Sequence, residues 1–186
     1  LGNIDILNEI LDHDDDTNEI LTTIETLCVR MTGMLRVFTI KSDQLDTSIT
    51  DIIRNACEVA SDAYPKMKIA LHIEEDSKNL EIQSSRLLPF VFDNLFRNTA
   101  KYAGRDSRIE IHVKREEDII CIRFSDNGPG VTEEIEQDLF QKGVSTSGGG
   151  LGLYLSRKIL ATVRGEIQLI DPRENEGAVF EIRLPY

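Results

Sequence analysis

The sequence predicts an α+β protein: a two-layer α/β sandwich, in which a mixed sheet is backed by helices, preceded by an α-helical hairpin of a dimeric four-helix bundle. Three observations predict it. Apolar residues at Ile20, Ile24, Leu27, Met31, Met34 and Phe38 alternate gaps of four and three, the seam of packed helices. From residue 47 onward, apolar patterns of helical and strand period alternate with short connections. The 186 residues are 40% hydrophobic and 29% charged, enough to bury a core.

Residues 1–46 read as helix, acidic break, helix. Ile4, Leu7 and Leu11 give the first short stripe, and Asp12-His13-Asp14-Asp15-Asp16 interrupts it. Asp16 or Thr17 can cap the second helix. Ten acids and three bases leave this region at −7. Two such helices cannot close a core alone, so the stripe needs a partner surface, and a second hairpin in a homodimer supplies it. Lys41 to Ser48 is the expected linker, and residues 47–186 form the second domain.

In that domain, Ile49, Ile52, Ile53, Ala56, Val59, Ala60 and Ala63 give a helix that ends before Pro65. Ile69, Leu71 and Ile73 alternate as in a half-buried strand. Leu80–Gln83 reads as a second, short strand. Ser84 or Ser85 can cap a helix that runs to Tyr102 and stops at Gly104, with Pro89 tolerated in its first turn. Residues 108–114 and 118–125 read as paired strands joined at Glu116-Glu117. A polar, glycine-rich stretch covers 126–152. A helix (153–163), a strand (166–171), a turn and a last strand (179–184) complete the chain. These connections predict mostly antiparallel pairing.

Charge and cysteine usage exclude several classes. The 33 acids and 21 bases give −12, against nucleic-acid binding or a polybasic grip on lipid. Cys28, Cys57 and Cys121 are far apart and form no zinc-like cluster, which suits a reducing, cytoplasmic compartment. No apolar run approaches the roughly 20 residues that span a bilayer, and no signal peptide opens the chain. The expectation is a soluble piece, or the cytoplasmic part of a membrane-bound parent.

Three motifs carry chemistry. Asn94, Asn98 and Lys101 fall at i, i+4 and i+7, on one face of a helix, while Leu88, Val91, Leu95 and Thr99 lie on a packing stripe. An amide oxygen suits magnesium, and a lysine one turn on meets a phosphate as a point charge. Taken singly, surface Asn and Lys are common. Asp126-Asn127-Gly128-Pro129-Gly130 follows a strand, where an aspartate can accept from an exocyclic amine. Alone it is also an ordinary turn. Gly148-Gly149-Gly150-Leu151-Gly152-Leu153 opens a helix, and backbone N–H groups there make an anion nest. No Lys-Ser/Thr pair makes it a P-loop, and no βαβ context makes it a dinucleotide fingerprint. The polar segment between Gly130 and Gly148, with Leu139-Phe140 as its apolar anchor, has the composition of a mobile lid.

Taken in order, these motifs resemble the ATP-binding domain shared by sensor histidine kinases, DNA gyrase B, the heat-shock chaperone ATPase and the mismatch-repair ATPase. Asn94–Tyr102 is similar to the N box, and Asp126–Gly130 to the G1 box. Leu139-Phe140 is similar to the F box, and Gly148–Leu153 to the G2 box. Gly165-Glu166-Ile167 and Val179–Pro185 resemble the end of the domain in histidine kinases. The resemblance covers residues 47–186 and implies ATP and magnesium as ligands. It implies Asn98 as magnesium ligand, Lys101 on a phosphate and Tyr102 flanking the nucleotide. It implies Asp126 on the adenine amino group, with Gly128 and Gly130 shaping that pocket, and Phe140 anchoring the lid. Gly148, Gly150, Leu151 and Gly152 would line the triphosphate. Asn94 and Lys101 are the implied catalytic pair. Gyrase and chaperone members carry a water-activating glutamate where Asn94 stands. Asn94 has no titratable group, which favours a kinase over a hydrolase.

A histidine kinase needs a phosphoacceptor. His72 and His112 alternate with apolar neighbours and read as solvated strand residues. His13 sits in the acidic break, without the Arg and Pro that usually follow the family's acceptor. The acceptor is therefore expected upstream of Leu1, or is naturally absent, and this chain should not label itself. The implied partners are a response-regulator receiver domain, a second copy of the hairpin and an upstream sensor domain. Two rivals share the domain. An anti-sigma-factor-type serine kinase lacks the heptad hairpin, and a non-catalytic regulator-binding module has no need of the intact boxes.

Overall fold

A computed structural model describes residues 48–77, 80, 87–104, 106–141, 151–171 and 176–186. The expectations for the hairpin, His13, the linker before Ser48, and the cap at Ser84 or Ser85 fall outside the described residues.

Helix α1 spans Ile49–Ala63, and the Ser48 hydroxyl caps it by accepting from the Thr50 N–H at 3.3 Å. Ile49, Ile52, Ile53 and Ala60 are its buried stripe. Val59, expected on that stripe, is 57% exposed. At about 100° per residue it falls at the stripe's edge. Tyr64 precedes Pro65 and leaves the helical region, at φ −129° and ψ 73°.

Strand β1 (Lys68–Ile73) pairs in parallel with β2 (Arg108–Glu116), from Lys68 against Arg108 to Ile73 against Val113. Parallel neighbours need a crossover, and helix α2 (Leu88–Tyr102) lies in the connection. Pro89 sits in the first turn of α2, where its missing N–H costs least. Of the strand expected at 80–83, only Leu80 is described. It has no strand assignment, and its carbonyl accepts from the Ile49 N–H at 3.2 Å.

Strand β3 (Ile119–Asp126) pairs antiparallel with β2. The turn between them is Glu117-Asp118, one residue later than expected, with Glu117 taking the left-handed conformation at φ 51°. Beyond Gly130 a four-residue helix, α3 (Glu133–Glu136), breaks the stretch that composition marked as lid. Helix α4 (Gly152–Thr162) follows, then β4 (Glu166–Leu169) and β5 (Val179–Pro185). The five strands run in the order β1-β2-β3-β5-β4, antiparallel apart from β1 with β2.

One sheet face is apolar. Ile109, Ile111, Val113, Ile120, Ile122, Phe124, Ile182 and Leu184 are buried there. Phe96 of α2 meets Phe124 of β3 edge-on, with centroids 5.3 Å apart. Each such aromatic buried from water contributes about 1.5–3 kcal/mol. The opposite face carries Glu110, His112, Lys114, Arg123, Glu181 and Arg183 at alternate positions. Among the described residues no helix is long and apolar enough to cross a membrane.

Candidate functional site

The site is built where the end of β3 meets α2. The residue after Asp126 closes the strand end. The Asn127 amide oxygen accepts from the Arg108 N–H at 2.7 Å, and its Nδ2 donates to the Asp106 carbonyl at 3.2 Å. Asp126 itself is paired on the other side. Its N–H donates to the Ala178 carbonyl at 3.1 Å, and Gly177 N–H donates to the Asp126 carbonyl at 2.6 Å.

The Asp126 carboxylate is half-buried and fixed by three donors. Oδ1 accepts from the Gly128 N–H at 2.8 Å and the Ala178 N–H at 3.0 Å. Oδ2 accepts from the Thr99 hydroxyl at 3.1 Å. Gly130 takes φ +78°, which a side chain would resist. Gly177 is needed for space. A Cβ there would stand 2.4 Å from the Gly128 carbonyl oxygen and 2.6 Å from Asp126 Oδ1.

On α2 the expected face is graded by depth: Asn94 is 4% exposed, Asn98 half-buried and Lys101 exposed. Asn94 Nδ2 donates to the Gly152 carbonyl at 3.1 Å and to Ser156 Oγ at 3.0 Å. A carbonyl only accepts, so the amide nitrogen must face α4 and the amide oxygen is left for other partners. Lys101 Nζ lies 5.2 Å from the centre of the Tyr102 ring, and Tyr102 is 44% exposed. Phe140 packs edge-on against Phe180 at 6.5 Å, with the Arg157 guanidinium 6.0 Å from its ring centre.

The structure thus brings Asp126 and Gly128 to the residues beside Asn98 on α2, and Gly152 against Asn94. Leu151 is half-buried beside Gly152. Gly148 and Gly150 lie outside the described residues. His72 and His112 are exposed, as expected, and stack with ring centroids 4.6 Å apart on the polar sheet face. Four residues of the site were missed. By pattern Thr99 belongs to the packing stripe, Ser156 to the helix at 153–163 and Gly177 to a plain turn, and Ala178 lies between that turn and the last strand. A threonine on an apolar stripe is itself a signal, since a buried hydroxyl needs a partner. The pairing of residues 177–178 with Asp126 depends on sheet register, which no local pattern displays.

Among the described residues no three His, Cys, Asp or Glu gather as a metal site. The amide oxygens of Asn94 and Asn98 are the neutral hard donors available on the α2 face, and magnesium, which keeps several waters, accepts so small a set.

Comparison with known proteins gives the family and the fold. The profile of the family described as histidine kinase-, DNA gyrase B- and HSP90-like ATPase matches residues 83–186. The swarming motility regulation sensor protein RssA of Serratia marcescens is 35% identical over 106 residues, 54% of this chain and 23% of that protein. A probable C4-dicarboxylate sensor kinase of Halalkalibacterium halodurans is 30% identical over 130 residues, 64% of this chain and 24% of that protein. The chain therefore spans about a quarter of the length of these curated relatives. The solved histidine kinase ThkA, in complex with the response regulator TrrA, superposes with a TM-score of 0.66 at 20% identity, covering 99% of this chain and 55% of that one. At that identity the likeness is one of fold. With the profile spanning more than half of the chain and both relatives named as sensors, the chain belongs to the histidine kinase-, DNA gyrase B- and HSP90-like ATPase family, as the ATP-binding catalytic domain of a sensor histidine kinase.

Proposed function

We propose that this chain binds magnesium-ATP beside α2 and, in the complete enzyme, delivers its γ-phosphoryl group to a histidine and thence to an aspartate of a response regulator. The observation that carries the reading is the Asp126 carboxylate, an anionic acceptor held by three donors at a strand end. In this reading Asp126 accepts from the adenine amino group, and Gly128 and Gly130 let the base approach. Tyr102 flanks the nucleotide and Lys101 meets a phosphate. Gly148, Gly150, Leu151 and Gly152 line the triphosphate, and Phe140, seated against Phe180, anchors the segment between the G1 and G2 boxes.

Asn98, with Asn94 beside it, would hold the magnesium ion, whose charge would offset that developing on the transferred group. Asn94 offers no base to activate water. Its amide nitrogen is spent on α4 and its amide oxygen is no base, so ATP is kept intact until a better nucleophile arrives. Residues 1–46 are the dimerisation hairpin in this proposal, and 47–186 the catalytic domain of a cytoplasmic kinase core. Its partner in this reading is a response-regulator receiver domain, by likeness to ThkA, which was solved in complex with the response regulator TrrA.

Calorimetric titration with ATP, with and without magnesium, tests the reading. Magnesium-dependent binding is expected, with negligible turnover and no acid-labile phosphate on the chain. No detectable binding at millimolar ATP would sink it.

A further inference from the structure

We infer that Thr99 is a specificity-determining residue: its hydroxyl places Asp126 Oδ2, and so sets the preference for 6-amino over 6-oxo purine nucleotides. The inference rests on the proposed adenine role of Asp126 and deepens it.

The two carboxylate oxygens are held differently. Oδ1 receives two backbone N–H groups, from Gly128 at 2.8 Å and Ala178 at 3.0 Å, on segments that are themselves paired into the sheet. Its acceptor capacity is filled. Oδ2 receives one proton, from Thr99 Oγ1 at 3.1 Å. The remaining lone-pair direction of the carboxylate therefore lies on Oδ2. With Oδ1 pinned, the carboxylate can still pivot about it, and the hydrogen bond from the Thr99 hydroxyl stops Oδ2 from moving.

Thr99 is well placed to do this. It is 1% exposed, on α2, where β-branching restricts its χ1. Its single proton has two acceptors in reach, Asp126 Oδ2 at 3.1 Å and the Leu95 carbonyl at 3.3 Å. The charged acceptor makes the stronger bond. The hydroxyl proton is thus committed to Oδ2, and what faces an incoming base is a pure acceptor at a fixed position. A 6-amino group donates to it. A 6-oxo group presents an oxygen to an anionic oxygen and is rejected. Without the hydroxyl, Oδ2 drifts or recruits water, and the distinction weakens. Thr99 does not touch the base in this account; it acts through Asp126.

The test compares magnesium-ATP with magnesium-ITP, which carries a 6-oxo group, by calorimetry on the full chain. Wild type is expected to prefer ATP. Thr99→Val keeps the branching and nearly the volume but loses the proton. It should lose roughly tenfold in ATP affinity, the scale of one hydrogen bond to a charged group, and less than about twofold for ITP. Thr99→Ser keeps the proton and should hold the wild-type preference. Should Thr99→Val fail to fold, by circular dichroism, Thr99→Ala provides the same comparison. Equal weakening of both nucleotides would mean that Thr99 only packs, and would overturn the inference. So would a Thr99→Ser variant that behaves as Thr99→Val. A wild type that binds both nucleotides equally would refute the adenine role of Asp126 first, and this inference with it. Wild-type preference retained in Thr99→Val refutes this inference alone.

Discussion

The two halves of the site are made of different materials. Around Asp126 the carboxylate is held chiefly by backbone N–H groups of Gly128 and Ala178, which belong to a turn and a strand paired into the sheet. Around Asn94 the tie is one side-chain amide, reaching from α2 to the first turn of α4. The two halves meet on one helix. Asn94 and Thr99 are five residues apart, about 7.5 Å along the axis. Each half therefore fails in its own way. Backbone donors are fixed by the fold, so the Asp126 half breaks only if the chain is displaced or the acceptor is changed. The Asn94 half rests on two hydrogen bonds from one atom, and a change of one atom type reverses their sign.

The largest effect is expected at Gly177. A Cβ would enter the space of the Gly128 carbonyl and amide, at 2.4 and 2.5 Å, and both are backbone atoms that cannot rotate away. Gly177→Ala should cost about 1–3 kcal/mol of stability, the scale of overpacking, and reduce ATP affinity by more than tenfold. Thermal unfolding and calorimetry read the two effects. A variant with wild-type affinity would show that the 176–178 segment is not a wall of the site.

Asp126→Asn should separate binding from folding. The new amide oxygen can still accept from Gly128 and Ala178, and its nitrogen can donate to Thr99 Oγ1, whose proton then turns to Leu95. Stability should fall by less than about 1 kcal/mol, while ATP binding drops roughly 10- to 100-fold, because a donor now faces the base amine. Loss of stability equal to loss of binding would make Asp126 a structural residue.

Asn94→Asp tests the other half. One carboxylate oxygen would face the Gly152 carbonyl at about the present 3.1 Å, with no proton between them. The expected cost is about 1–3 kcal/mol at neutral pH, the penalty of an unsatisfied buried acceptor. The cost should shrink as pH falls, since the protonated acid can donate to Gly152. Unfolding measured at pH 7 and pH 5 checks the direction. Appreciable ATP hydrolysis by the wild-type chain, with Asn94 in place, would contradict the account of Asn94.

The smallest effect is a labelling rate. Burial, and then the Glu181 carboxylate, push the Cys121 thiol up to about 11, and burial pushes Cys57 up to about 11. Both should stay protonated and react slowly with thiol reagents at pH 8 in a Cys28→Ser background. Cys121 pairs with Arg183 of β5, the strand that Gly177 leads into. Gly177→Ala should therefore raise Cys121 labelling severalfold, whereas Ser156→Ala, confined to the α2–α4 tie, should leave it unchanged. Mass spectrometry over time distinguishes the two.

Local chemistry by itself determined a good deal of this protein. Periodicity marked α1, α2, α4 and all five strands to within a few residues, because burial of one face imposes period 3.6 or 2 on the chain. Glycines and polar residues at Asp126–Gly130 marked the turn that closes the strand end, where the Gly128 N–H donates to Asp126. The spacing of Asn94, Asn98 and Lys101 marked one helix face. The groups that hold these residues in place come from distant parts of the chain. Thr99 is 27 residues from Asp126, Ala178 is 52 residues from it, and Ser156 is 62 residues from Asn94. Such partners are chosen by sheet register and helix packing, which sum many small contacts across the whole core, and no window of neighbouring residues contains that sum.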